Sequence, residues 1–300
     1  MASPWKTMTR SAAIPTGLVL SIVVSAIVWN SFVGLSWKPA LPQMLALPAS
    51  LFILAMIFST IWRKNRTAEG AFYLGLWVLS SIFATWLTYL ENTLGLPLQD
   101  RMLSKADILL GFDRHWWASV VLGRPWFSHL LSAAYWSHTW QVLLSVIVFA
   151  RIGPKGRNAE LLTSILLGLI ATIVISAFVP ALAPVDPHGQ NTTSQIVQAL
   201  REGSRGPYRY AGIITFPSFH TVLAILLTVA HRKRWPIFVP VLATNVFMII
   251  STPYFGYHYL VDLFGGAVIA VVALHCAQWL LLGHQNWRAH PILERQPSCS

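Results

Sequence analysis

The stretch Gly256-Tyr257-His258-Tyr259-Leu260-Val261-Asp262 sets a histidine and a carboxylate four residues apart at the start of a long apolar run. On a helix those positions share a face, so Asp262 can accept a hydrogen bond from one His258 ring nitrogen. That bond fixes the tautomer and leaves the other nitrogen free as a nucleophile. A second histidine opens an earlier apolar run in Phe216-Pro217-Ser218-Phe219-His220-Thr221. Proline and serine are helix-start residues, which puts His220 in a first turn beside unpaired backbone N–H groups. Two helix N-termini with two imidazoles favour an anion such as phosphate. Candidate phosphate ligands are Ser218 and three arginines upstream, Arg201, Arg205 and Arg209, because guanidinium groups bind phosphate oxygens bidentately. Arg201 stands first among them, since a helix ending there would direct it back toward the site. The alternative is that these arginines are solvated or touch lipid headgroups. Two imidazoles and a carboxylate are also a known metal-ligand set, but the basic surroundings favour an anion over a cation, so no metal is expected.

The elements that carry these residues must lie in a membrane. The 300 residues hold 21 Lys+Arg and 10 Asp+Glu, while 55% of the chain is apolar and 12% is aromatic. A water-soluble domain carries about a quarter charged residues, so this composition belongs to a polytopic membrane protein. Asp262 is the one acidic residue inside a predicted span, where a carboxylate is costly and reads as functional. The formal charge of +11 does not indicate nucleic acid, because the basic residues fall in small clusters between apolar runs. Cys276 lies in an apolar run and Cys299 is the penultimate residue, which leaves no disulfide framework or thiolate metal site.

Eight charge-free segments approach the ~20 residues needed to cross the bilayer. They are roughly 12–35, 42–62, 70–90, 126–150, 161–182, 216–231, 235–255 and 258–283. The run from Ser11 to Leu35 is too long for a signal-peptide core and reads as an uncleaved first span. With the N-terminus inside, 13 of the 21 basic residues fall in cytoplasmic loops or termini. These are Lys6 and Arg10; Arg63, Lys64 and Arg66; Arg151, Lys155 and Arg157; Arg232, Lys233 and Arg234; and Arg288 with Arg295. The positive-inside rule then puts both termini in the cytoplasm and the histidine blocks on the outer side.

Two outer connections are long. Segment 98–124 mixes charges with aromatics around Asp107, Arg114, His115, Trp116 and Trp117 and fits an interfacial helix, a lid or rim. Segment 183–215, with Pro184, Pro187, Gly189, Gly203, Gly206 and Pro207, reads as loop with a short helix around Thr193 to Arg201. His129, His138 and His275 read as packing residues, as does the polar set Tyr135, Ser137, His138 and Gln141 in the fourth span. Gly265-Gly266 followed by Ala270 lets another helix approach closely. The chain is expected to form a single membrane domain over 1–300. Its parts are the N-terminal spans (1–95), a catalytic core (98–283) with the interfacial helix and outer loop, and a cytoplasmic tail (284–300).

At the histidine blocks the sequence resembles the type 2 phosphatidic acid phosphatase superfamily, whose second and third signature blocks each place a histidine at an outer helix start. Phe216-Pro217-Ser218-Phe219-His220 is similar to the second, and Gly256 to Asp262 with Gly265-Gly266 to the third. The phosphatases usually carry Ser-Arg shortly before the third-block histidine, where this chain has Ser251-Thr252. Their first block, a Lys followed at seven residues by Arg-Pro, is also altered, with Trp117 standing where the Lys belongs before Arg124-Pro125. Both departures resemble the branch of fungal inositol phosphorylceramide synthase and the sphingomyelin synthases, as does the region around Phe178-Val179-Pro180 and Ala183-Pro184. The resemblance covers residues 100 to 283. It implies an all-α polytopic fold of about eight transmembrane helices with a six-helix phosphatase-like core. By it, His258 is the nucleophile that forms a phosphohistidine, Asp262 its orienter, and His220 the group that protonates the leaving oxygen and later deprotonates the acceptor. No metal or cofactor is implied. The expected activity is a lipid-phosphate phosphotransferase or phosphatase at the outer leaflet, inositolphosphotransferase-like. Its partners would be a phospholipid or lipid-phosphate donor and either water or a lipid hydroxyl as acceptor. The alternative is a simple phosphatase of phosphatidic acid or polyprenyl phosphate. A transporter ranks last, because no broken helix or repeated half is visible in the sequence.

Overall fold

The computed structural model describes residues 4–184, 192–209 and 211–286. His188, Arg288, Arg295 and Cys299 lie outside them. The elements in chain order are α1 (Pro4–Val33), β1 (Trp37–Lys38), α2 (Leu41–Thr60), α3 (Asn65–Asn92), α4 (Asp100–Leu109), α5 (Arg114–Leu122), α6 (Pro125–Trp136), α7 (His138–Ile152), α8 (Arg157–Phe178), α9 (Thr192–Arg201), β2 (Tyr208–Arg209), α10 (Phe219–His231), α11 (Trp235–Phe255) and α12 (Leu260–Asn286). The chain is an all-α integral membrane protein. Six described helices (α1, α2, α3, α8, α11 and α12) are long and apolar enough to cross a membrane, and α7 and α10 are shorter apolar helices.

α3 and α8 form the centre of the bundle, with α1 and α2 packed on the α3 side and α10 and α12 on the α8 side. Large apolar side chains such as Leu20, Ile27, Phe32, Leu144, Val174 and Val268 point outward, as lipid-facing positions do.

The loops sort to two ends of the bundle. At one end, Ser36 donates its N–H to the Arg205 carbonyl at 2.8 Å and Gln99 donates to Pro180 at 2.8 Å. β1 pairs in parallel with β2 there, and Trp37 stacks on Trp86 while packing against Tyr89 and Tyr208. At the other end, Arg66 donates to Gly153 at 2.9 Å, while Arg157 binds the Ala230 carbonyl and Arg234 that of Ile152. The connections assigned to one side by their basic residues therefore share one end.

Two expectations need correction. The fourth span is broken at Ser137 into α6 and α7. The Ser137 hydroxyl donates to the Ala134 carbonyl at 2.6 Å and the Ser137 N–H to the same oxygen at 3.3 Å, so the acceptor that would continue the helix to His138 is taken. A broken helix is thus present, though no repeated partner accompanies it among the described residues. The segment expected to form an interfacial helix is likewise two helices, with Gly111 in a left-handed turn at φ 71° and Asp113 capping α5 through the Trp116 N–H at 3.0 Å.

Candidate active site

His258, Asp262 and His220 meet at the end of the bundle that holds the β1–β2 pair. The His258 ring nitrogen Nδ1 lies 2.7 Å from the Thr215 carbonyl and 3.2 Å from Asp262 Oδ2. A carbonyl can only accept, so Nδ1 carries the hydrogen, and in the neutral ring Nε2 then holds the lone pair. Asp262 Oδ2 also accepts the Tyr259 N–H at 2.8 Å, while its Oδ1 is buried without a partner among the described residues. His258 and Asp262 are 3% and 0% exposed, so their geometry is set by the protein rather than by water.

The backbone around His258 is over-determined. Tyr257 takes a left-handed φ of 51°, a strained value for a tyrosine. The His258 N–H donates to the Thr252 carbonyl at 3.3 Å, and its carbonyl accepts from Arg114 at 2.6 Å. Arg114 also donates to the Pro253 carbonyl at 2.9 Å and lies 3.7 Å from Asp107. Asp107 in turn accepts the Val261 N–H at 3.1 Å at the start of α12. Burial lowers the Arg114 pKa, and the neighbouring Asp107 opposes that shift. Helices α4 and α5 thereby buckle the His258 turn in place, a role the sequence did not reveal for Asp107 or Arg114.

The two histidine blocks are joined directly. The Ser218 N–H donates to the Asp262 carbonyl at 3.0 Å, and the Ser218 side chain caps α10 by accepting from the Thr221 N–H at 3.4 Å. A Cβ added at Gly266 would lie 2.5 Å from the Ser218 carbonyl, and one at Gly265 would lie 3.1 Å from the Phe216 ring. The glycine pair therefore accommodates the entry of α10, close to the packing role expected for it. Gly266→Ala should push that entry away at a cost of ~1–3 kcal/mol. The expected outcome is a lower melting temperature together with lost activity, measured on purified protein in detergent; a variant as stable and active as the parent would show that the two blocks need not touch.

His220 stacks on Tyr135 with ring centroids 4.3 Å apart and stands 6.3 Å from His258. No hydrogen bond reaches either of its ring nitrogens among the described residues, so they are open to a ligand. His138, expected to be a packing residue, meets the His220 ring edge-on at 4.9 Å. The signal for it in the sequence was the polar run Tyr135, Ser137, His138 and Gln141 in an apolar span. His129 is exposed, and the exposed His275 bonds only the Val271 carbonyl of its own helix at 2.8 Å.

The arginines lie elsewhere. Arg201 donates to the carbonyls of Gly95 and Leu96 at 3.3 and 2.7 Å, tying α9 to the end of α3. Arg205 and Arg209 are exposed and use their carbonyls to bind Ser36 and Tyr89. No described hydrogen bond or ion pair joins these three to the histidines. Ser251 and Thr252, in the place of the expected arginine, are buried and donate to their own helix at Met248 and Ile249.

Fold and site together define an all-helical integral membrane protein with paired histidines and a carboxylate at adjoining helix starts. Residues 101–276 match the family model described as the PAP2 superfamily. The match spans more than half of the chain, and the chain belongs to that superfamily. Comparison with curated proteins and with solved structures returns no match in either. Membership supports a phosphatase or phosphotransferase type of activity on lipid phosphates.

Proposed function

We propose that the protein transfers the phosphoryl group of a membrane lipid phosphate through a covalent intermediate on His258. The observation that carries this is the double hold on His258 Nδ1–H by Thr215 and Asp262, which leaves Nε2 as the open ring nitrogen, with the His220 ring 6.3 Å away between centroids. In the first step Nε2 attacks phosphorus, the phosphorus–oxygen bond to the lipid breaks, and His220 gives its proton to the departing alkoxide. In the second, an acceptor hydroxyl gives its proton to His220 as its oxygen displaces His258. Residues 1–300 act as one membrane domain in this reading, and no metal or cofactor takes part. Water as acceptor makes the protein a lipid phosphatase. A lipid hydroxyl makes it a head-group transferase of the inositolphosphotransferase kind, the reading that the altered first and third blocks support. Incubating purified protein with labelled phosphatidic acid or phosphatidylinositol, with and without ceramide or diacylglycerol, tests this. Free phosphate supports the phosphatase and a new phospholipid the transferase; neither product from any donor would remove the proposal.

The site is proposed to face away from the cytoplasm, with both termini inside, because the opposite end collects the basic loops. A cysteine replacing Gln195 on α9 should react with an impermeant maleimide added outside sealed vesicles, and one replacing Lys155 should not. The reverse labelling pattern would move the site to the inner face.

A further inference from the structure

The site as described places few partners around a transferring phosphate. The nearest guanidinium, Arg114, is spent on the carbonyls of Pro253 and His258 and on Asp107. Arg201 directs Nη2 to Gly95 and Leu96, its buried Nη1 has no partner among the described residues, and no contact joins it to the histidines, while Ser251 and Thr252 turn their hydroxyls to their own helix. A non-bridging oxygen held between His258 and His220 therefore needs another side chain.

His138 is placed to be that group. It opens α7, directly after the break at Ser137, so its side chain leaves the bundle wall where the helix is interrupted. Gln141 donates to the Ser137 hydroxyl at 2.9 Å, and that hydroxyl donates to Ala134, which fixes the break. His138 Nδ1 lies 3.0 Å from the Tyr135 carbonyl, so Nδ1 carries the hydrogen and Nε2 is left without a partner among the described residues. Tyr135 is also the residue on which His220 stacks, so one short segment positions both rings.

We propose that His138 binds a non-bridging phosphate oxygen through Nε2, standing in for the arginine that the third block lacks. One hydrogen lies between ring and oxygen, brought by a phosphate monoanion or carried on an imidazolium. The proposal rests on phosphoryl transfer between His258 and His220, and its ligand is the phosphate group itself, not the lipid chain.

Orthovanadate, a phosphate mimic, is the probe, with KM and kcat measured on the full-length protein in proteoliposomes. A hydrogen bond to a charged group is worth a factor of roughly 10–100, so His138→Ala should weaken vanadate inhibition and raise KM by that much, with a smaller change in kcat. His138→Gln, whose amide nitrogen approaches the Nε2 position, should recover part of the loss. His138→Asn, whose shorter side chain reaches only the Nδ1 position, should not. Unchanged vanadate inhibition in the alanine variant, or equal losses in the Gln and Asn variants carried by kcat alone, would overturn the proposal. Should the alanine variant fail to fold, the Gln and Asn pair decides the matter by the same criterion. A wild-type protein that vanadate does not inhibit and that forms no phosphoenzyme would remove the phosphoryl-transfer reading instead.

Discussion

His258→Ala should abolish turnover and the phosphoenzyme trapped by rapid quench while leaving the protein folded. Losing the covalent nucleophile removes both steps, and such losses reach ~10⁶ in rate. The fold should survive because the His258 turn is held largely through its backbone, by Thr252 and Arg114. Alanine keeps those bonds and gives up the ring contacts to Thr215 and Asp262. Asp262→Asn should be milder. Where a carboxylate alone orients a catalytic imidazole, its amide costs ~10⁴, because the wrong tautomer is then favoured. Here the Thr215 carbonyl, at 2.7 Å the closer of the two acceptors, still holds Nδ1–H, so a loss of roughly 10² is expected. A His258→Ala protein that turned over at a tenth of the parent rate would sink the nucleophile assignment. An Asp262→Asn loss as complete as that of His258→Ala would mean that the Thr215 bond does not set the tautomer.

Most of this arrangement was legible because its signals are local. Apolar run length marked α1, α2, α3, α8, α11 and α12, and the Pro217-Ser218 start marked α10 to within a residue. His258 and Asp262 declared themselves by their four-residue spacing, although the structure puts His258 in the turn just before α12 rather than on the helix with Asp262. What stayed hidden depends on contacts distant in sequence. Asp107 and Arg114 look like ordinary interfacial charges until the fold brings them against Val261 and His258. Arg201 looked like a phosphate ligand because it ends a short helix near the second block. The fold turns that end toward Gly95 and Leu96, whose carbonyls accept from Nη2. The break at Ser137 was hidden for a different reason. Serine inside an apolar span usually costs little, and only the competition for the Ala134 carbonyl turns it into an interruption that exposes His138.

The two histidines should separate when the leaving group is varied. His220 is proposed to protonate a departing alkoxide, a task worth ~10²–10⁴ in rate that lapses when the leaving group is already stable. The p-nitrophenolate ion, from p-nitrophenyl phosphate, needs little protonation, whereas a lipid or inositol alkoxide needs a great deal. His220→Ala should therefore lose far more activity on the lipid donor than on the activated ester at the step that forms the phosphoenzyme. His258→Ala should lose both alike, since neither donor can then form the intermediate. The measurement must follow the burst of nitrophenolate, because His220 also accepts the proton of the incoming hydroxyl and its loss slows later turnover for every donor. The structure makes the contrast sharp. His220 is held by stacking on Tyr135 and by the edge of His138, and no described hydrogen bond occupies either ring nitrogen. Removing the ring thus removes a proton carrier and breaks no hydrogen bond that holds His258, whose Nδ1 partners are Thr215 and Asp262. Equal burst losses on the two donors would instead make His220 a phosphate ligand or a packing residue. The proton donor would then have to be His138, the next imidazole in contact with it, or the exposed His115.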